Sequence, residues 1–554
     1  MKTSKVAFLV FLCIVSLCAV TNQAKSQDIT EIVYILSNGN ISSSINATVP
    51  IQQDGNVYTF TDDLLVNSFV VQRNGITIEG AGYSLEGSGE TGIELTSVNG
   101  VSIMSVQLKG MFQYGIYIAE SSNNTITGNT IKNNGSGIII YNSTQNTVTN
   151  NILTDNEVGI ELLWATENTF RNNNLDNHFN VAVYGDELSH YVNYMDESNT
   201  ITDYKKVYYL VGEEDLVIDP DTFPDAGFIA LVSCNNITVQ NIEISDSGQG
   251  ILLAFTTEST IDRNIIINNN NGILLFASSS NLITGNSITN NFRGIQLSMF
   301  STNNGISANN MTDNTGAMFL FNSSQNTILG NTISNNDYAI GFSASPFNLV
   351  RGNYFLDNSL QIYDASTADS SVAISINTWE VSYPAGGNYW SDYSGIDVKT
   401  GSGQDEDGSD GVGDTSYVID SYNQDKYPLI LENELYIYIT SPENTTYNVN
   451  SVTLSGIASQ TDSEISYSLN GQANITISGS IKLSNLSDGS HRVTVFAKDT
   501  EGNEDSHTVY FTISEGAEPP TETETLPVTL IVAVIAILVV VGVALFYFLK
   551  IKKK

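Results

Sequence analysis

Between Gly92 and Asn353 the apolar residues come in short apolar-x-apolar pieces such as GIIIY, NTVTNNIL and GIELL, β-branched and broken by Gly and Asn. No segment in this stretch has the length or the 3.6-residue spacing of a helix, so the pattern predicts short strands joined by turns. The pieces return on a beat. One Asn recurs at Asn129, Asn151, Asn173, Asn241, Asn264, Asn286, Asn309, Asn331 and Asn353, in steps of 22 or 23 residues with a single gap of 68. A Gly opening a Gly-apolar-x-apolar quartet keeps the same beat at Gly92, Gly115, Gly137, Gly159, Gly227, Gly250, Gly272, Gly294 and Gly316. A fixed period in the twenties means stacked units. Leucine-rich repeats share the period and the recurring Asn, but three short strands and three turns per unit describe one coil of a right-handed parallel β-helix.

Coils stack about 4.8 Å apart, the spacing of paired strands. Identical residues then lie over one another. The Asn column is expected to form an amide ladder at a tight corner, where Asn tolerates left-handed backbone angles. The Ile and Val between the Asn residues are expected to point inward as core. In Gly159-Ile160-Glu161-Leu162 the apolar flanks go in and Glu161 goes out. Tyr117, Ile139, Glu161 and Ala182 are expected at equivalent outward positions on successive coils.

From Tyr436 to Ile513 the pattern changes to alternating strands, SVTLSGIAS, HRVTVFAKD and HTVYFTI among them, with turns at NG, DG and GN. This predicts an all-β sandwich. The expected fold class is therefore all-β: a right-handed parallel β-helix solenoid with an end cap over 28–430, then an Ig-like β-sandwich over 434–514. Tyr389, Trp390, Tyr393 and Tyr417 are expected to seal the open end of the helix, where a bare strand edge would otherwise remain.

The two termini add a topology. Lys2 and Lys5 precede an apolar run from Val6 to Val20, which reads as a signal peptide over 1–24. An acidic Pro/Thr stalk over 515–526 leads to an apolar span over 527–549, long enough for one transmembrane helix. The tail KIKKK at 550–554 is expected to be cytoplasmic by the positive-inside rule, which makes the chain a cell-envelope protein with an extracellular ectodomain. Cys13 and Cys18 leave with the signal peptide, so Cys234 has no partner for a disulfide within one mature chain. Eleven Asn-x-Ser/Thr sequons are present. With 59 acidic residues against 21 basic ones, a nucleic-acid partner is excluded, because phosphate binding needs clustered Lys and Arg.

Over roughly residues 55 to 430 the chain resembles the NosD-like proteins of the pectin-lyase-like β-helix superfamily, whose coils are of the CASH (carbohydrate-binding and sugar-hydrolase) class. The resemblance is carried by the NTITGN and NNxxGI coils and the opening VYTFTDDLLVNSFVVQRNGITIEGAGYSLEG. It is carried further by the interruption beginning SHYVNYMDESNTITDYKK and the closing GGNYWSDYSGIDVKTGSGQDEDGSDGVGD. It implies the β-helix fold and, through the family's link to copper insertion, a metal-handling role.

Three function classes follow: a surface module for carbohydrate or envelope partners, a polysaccharide lyase or hydrolase, and a copper accessory protein. Copper wants thiolate, thioether or imidazole, and the mature chain offers one Cys, scattered Met and four His. Ca²⁺ is the cofactor suggested by the acids of DEDGSDGVGD: Asp405, Asp407, Asp410 and Asp414 supply hard oxygen ligands on a glycine-rich loop. That match to an EF-hand lacks the closing Glu. Sugar cleavage needs paired carboxylates, and Glu161 has none directly above or below it on its face. Binding needs less: aromatic faces suit sugar rings. The candidate ligand face is Tyr117, Tyr141, Glu161, Trp164, Arg171, Tyr184, Asp186 and His190. Recognition or structural display without chemistry is the reading the residues favour.

Overall fold

The computed structural model describes residues 31–514, apart from 384–385, 431–436, 443–445, 448–449, 459–462, 478–480 and 500–501. The expected signal peptide, stalk, apolar span and basic tail lie outside the described residues. Among the described residues no helix is long and apolar enough to cross a membrane. The chain divides into two compact units, Met1–Glu432 and Asn433–Lys554.

The first unit is an all-β, right-handed-type solenoid of about 14 turns. A representative coil holds one six-residue strand, Ser136–Tyr141, and two of three residues, Thr147–Thr149 and Ile152–Thr154. Successive coils pair in parallel and in register: Ile116, Ile138, Ile160 and Val181 form one inward column. Ile126, Val148 and Phe170 form a second, and Ile131, Leu153 and Leu175 a third. All of these are fully or almost fully buried. The strand glycines have a steric reason, since a Cβ on Gly115 would lie 2.6 Å from the carbonyl oxygen of Gly137. Later coils relax this, with Ala317 and Ala339 at the equivalent place. Gly316 is therefore not the stacked glycine of its coil; it aligns with Arg293 and Tyr338.

The Asn repeat is three ladders rather than one, five residues apart in the regular coils. Asn124 bonds Asn146, which bonds Asn168. Asn129 bonds Asn151, which bonds Asn173, and Asn134 bonds Asn156. Two expectations need correction. Asn241 is not a rung: the backbone N–H of Ile242 donates to Asn264 Oδ1, while Asn241 is exposed with φ +57°. After Asn173 the ladder continues to Asn199 instead. The left-handed corner residue is also not the rung but its predecessor, as at Asn123, Gly128 and Asn133. The side chain at a left-handed corner points away from the stack, and the next residue turns its amide in.

The 68-residue gap shifts the solenoid by one face. Thr200–Ile201 pairs antiparallel with Lys205–Val211, which pairs in parallel with Ala226–Val232. The Gly-quartet strands of the later coils thereby extend a fifteen-stranded sheet whose earlier members are strands of two to four residues on a different face. The eight-stranded sheet of earlier Gly-quartet strands ends at Phe179–Tyr184. It abuts the turn at 246–249: Gly248 N donates to Val181 O, and Val183 N to Gln249 Oε1.

The far end is sealed by aromatics. Trp390 stacks between Phe355 and Tyr417, each 4.3 Å away. Trp379, which sequence reasoning missed, is also buried there. Tyr393 packs at the edge of this group, and Tyr389 continues the column above Tyr354.

The second unit is all-β. A three-stranded sheet contains Ile437–Ser441, Val452–Ala458 and Ile481–Leu483. A five-stranded sheet is centred on Gly489–Lys498 and Glu504–Ile513. Leu454, Val493, Val495 and Phe511 form its core.

Candidate functional site

The outer side of the eight-stranded sheet carries the predicted aromatic residues. Register places Glu94, Tyr117, Ile139, Glu161 and Ala182 in one column, as the strand alternation requires. The next column runs Ala119, Tyr141, Leu163 and Tyr184. Tyr114 stacks on Tyr117 with ring centroids 5.4 Å apart. Trp164, at a left-handed corner with φ +51°, meets the edge of Tyr141 at 5.4 Å. All five rings, Tyr184 included, remain partly exposed.

Glu161 sits among these rings. Ser136 Oγ donates to its Oε2 at 2.7 Å, which favours the carboxylate. Burial acts the other way and wins, holding the carboxyl above its usual range. Burial, and then the charge of Glu161, push the Tyr184 phenol upward, against the pull of Asn270, Arg293 and Gln249. Tyr184 is thus a neutral hydroxyl at any ordinary pH, and it accepts a hydrogen bond from Asn270 Nδ2 at 3.4 Å.

Asn270, Gln249 and Arg293 come from coils beyond the interruption, and sequence reasoning missed them. Gln249, Asn271 and Arg293 share register on consecutive coils. Arg293 is buried, donates from Nη1 to Gln296 Oε1 at 2.9 Å, and lies 4.5 Å above the Phe319 ring. Beside this wall a groove of about 430 Å³ is lined by residues including His178, Phe179, Asp246, Phe292 and Asp313.

Other predicted residues lie elsewhere. Arg171 ends a strand of a different sheet and pairs with Asp196 at 3.2 Å. Asp186 and His190 pair with each other at 3.0 Å in the loop after Tyr184. Gly185 allows that turn, since a Cβ there would lie 2.4 Å from that of His190. Glu161, Arg171, Asp186 and His190 therefore do not form one group.

The sequence of the solenoid matches the profile of a family described as "Periplasmic copper-binding protein (NosD)" over residues 16–212 and 192–395. The chain belongs to the NosD family. No curated protein matches it. Among solved structures, the NosD solenoid is similar to the A-module of the mannuronan C-5 epimerase AlgE6 from Azotobacter vinelandii. Identity is 14% over 58% of this chain and 86% of that one, with a TM-score of 0.26. An exopolygalacturonase from Thermotoga maritima matches at 8% identity over 56% and 82%, TM-score 0.22. A tailspike protein of E. coli bacteriophage HK620, solved with a pentasaccharide, matches at 12% over 83% and 85%, TM-score 0.27. At these identities and scores the likenesses say nothing of what this chain binds.

The family description raises copper, and the donors do not fit it. Among the described residues no group of three or more His, Cys, Asp or Glu is placed to hold a metal ion. Cys234 is buried, its Sγ 3.5 Å from Val232 O, and burial raises its thiol. The calcium expectation meets the same geometry. Asp414 accepts from the backbone N–H groups of Val398 and Lys399, and Asp410 from Gln404 and Val412. Asp407 pairs with Lys399, and Asp405 is exposed. Asp407, Asp410 and Asp414 hold the loop individually instead of converging with Asp405.

Proposed function

We propose that this NosD-family chain is an exported, membrane-anchored surface protein that binds carbohydrate on the outer side of its eight-stranded sheet, without chemical turnover. The observation that carries this reading is the partly exposed aromatic group Tyr114, Tyr117, Tyr141, Trp164 and Tyr184 set around Glu161. Aromatic faces take up the apolar faces of sugar rings, and Glu161 and Asn270 supply polar groups for hydroxyls. The wall of later coils closes one end of this face, so a chain-like glycan would lie along the columns from Tyr117 toward Tyr184. The all-β second unit, which follows the solenoid in the chain, is read as an Ig-like spacer.

Cleavage is the second reading, and the raised carboxyl of Glu161 is what favours it. The nearest carboxylate in its own column is Glu94, three coils below. Three steps of about 4.8 Å put that residue beyond the separation that paired-carboxylate hydrolysis uses.

A glycan array with the purified ectodomain tests binding, with W164A as the comparison. Retention of selected glycans by the wild type and loss by W164A is expected. Release of unsaturated or reducing sugars from acidic polysaccharides would replace the binding reading with the enzymatic one.

A further inference from the structure

Five sequons of the solenoid, at Asn123, Asn134, Asn142, Asn236 and Asn310, fall into three structural settings, and only one of these settings presents an Asn for modification. Asn134 is a ladder rung, 5% exposed. Its Nδ2 donates to Lys132 O at 2.9 Å and to Asn156 Oδ1 at 3.0 Å, so the atom that would have to react is buried and engaged. The hydroxyl of its sequon, Ser136 Oγ, is held by Glu161. Asn310 is exposed but lies in the strand Asn310–Thr312, paired on both sides with Ser287–Thr289 and Thr332–Ser334. Its backbone cannot leave the sheet without breaking two ladders of hydrogen bonds.

Asn123, Asn142 and Asn236 differ from both in exposure: Asn236 Nδ2 donates to Asp215 Oδ1 at 2.7 Å and Asn123 Nδ2 to Ser122 Oγ at 3.1 Å, but these bonds lie at the surface, where a side chain can turn out of them. Each is exposed at a coil corner with a left-handed backbone, φ +56°, +42° and +53°. That conformation turns the side chain away from the stack, and the hydroxyl residues Thr125, Thr144 and Thr238 follow two positions on. Asn142 sits one coil below Trp164, at the rim of the aromatic face: Asn142 N donates to Leu163 O as Trp164 N donates to Tyr184 O.

We propose that Asn123, Asn142 and Asn236 carry N-linked glycans and that Asn134 and Asn310 do not. The proposal rests on the reading that the chain is exported. The donor is a lipid-phosphate-linked oligosaccharide. Asn Nδ2 bonds to its anomeric carbon as the bond from that carbon to the phosphate oxygen breaks. The lipid phosphate leaves with the electron pair, and Nδ2 gives one proton to a base of the transferase.

The test is glycopeptide mass spectrometry on the full chain recovered from fractionated cells that make it. Peptides holding Asn123, Asn142 and Asn236 are expected to carry sugar mass, and those holding Asn134 and Asn310 to have their unmodified mass. The variant T144A should lose the adduct at Asn142 and keep the one at Asn123. An envelope-located chain with all three corners unmodified overturns the proposal while leaving export intact. So does Asn134 occupied as fully as Asn142, or an adduct at Asn142 that survives T144A. A chain confined to the cytoplasmic fraction overturns the export reading and this proposal together.

Discussion

The backbone N–H and the side-chain Nδ2 of Asn129 both donate to Asn151 Oδ1, each at 3.0 Å. Asn151 in turn donates from Nδ2 to Ile126 O and to Asn173 Oδ1. One fully buried amide thus serves the coil on either side of it. Asn151→Ala removes an acceptor from two buried donors and a donor from two buried acceptors. Each orphaned group costs about 1–3 kcal/mol, and the ladder can relax only in part, so a loss of roughly 3–5 kcal/mol is expected. Urea unfolding of the isolated solenoid wild type and variant measures it. A loss under about 1 kcal/mol would show that water replaces the rung.

The middle ladder of the later coils ends on a carboxylate. Asn353 bonds Asn388, and Asn388 N donates to Asp425 Oδ2 at 2.7 Å, joined by Trp390 Nε1 at 3.0 Å. Burial nevertheless pushes the Asp425 carboxyl up to about 6. Because the folded value lies above the unfolded value of 3.8, the folded state binds this proton more tightly. Its contribution to stability is therefore full below pH about 4 and is lost as pH rises through about 6. The window is worth roughly 3 kcal/mol at most. Unfolding midpoints of the wild type and D425N between pH 4 and 7 check this, and the variant should lose that part of the slope. An identical slope in both proteins would assign it to other groups.

Much of this was legible in the sequence. The 22-residue beat gave the coil, and strand alternation placed Tyr117, Ile139, Glu161 and Ala182 in one column. The three ladders are also written there, as Asn124, Asn129 and Asn134 five residues apart, although one Asn per coil already accounts for the period. Two things were hidden. Across the interruption the alignment of Asn241 slipped by one residue, because periodicity stops where the chain changes face. The same change of face brings Asn270 and Arg293 to Tyr184, a contact between coils that no local spacing announces.

Trp164 and Tyr141 meet edge to face at 5.4 Å while staying partly exposed. Truncating Trp164 to Ala removes the larger ring of the pair and leaves the coil ladders untouched. Stacking of this kind contributes about 0.5–1.5 kcal/mol, so a loss of up to tenfold in glycan affinity is expected with little change in thermal stability. Isothermal titration against an array-selected glycan reads this. Unchanged affinity would move the binding face elsewhere.

Since Asp407, Asp410 and Asp414 are engaged singly, by Lys399, by Gln404 and by backbone amides, chelation should not loosen the loop. Melting temperatures with EDTA and with millimolar Ca²⁺ are expected to agree within about 1 °C. A rise of several degrees with Ca²⁺ would mean that the aspartates regroup around the ion, because ligand binding to the native state raises apparent stability.

Glu161 separates a binding role from a structural one. Burial raises its carboxyl although Ser136 Oγ donates to it at 2.7 Å, so its ionised form is held at a cost to the fold. Stability from this group is greatest below the usual carboxylate range and falls as pH rises through its raised value. E161Q keeps the shape and the acceptor for Ser136 and removes the charge. At pH 7 the variant is expected to unfold at higher urea than the wild type, and the difference should vanish in acid. If the carboxylate contacts sugar hydroxyls, the same variant should bind glycan roughly tenfold more weakly, because hydrogen bonds to a charged group contribute about 1.5–3 kcal/mol. A variant that is more stable yet binds less well is the signature of a residue kept for its ligand. One that is less stable at pH 7 would make Glu161 a part of the fold, and the binding face would then rest on its aromatic rings alone.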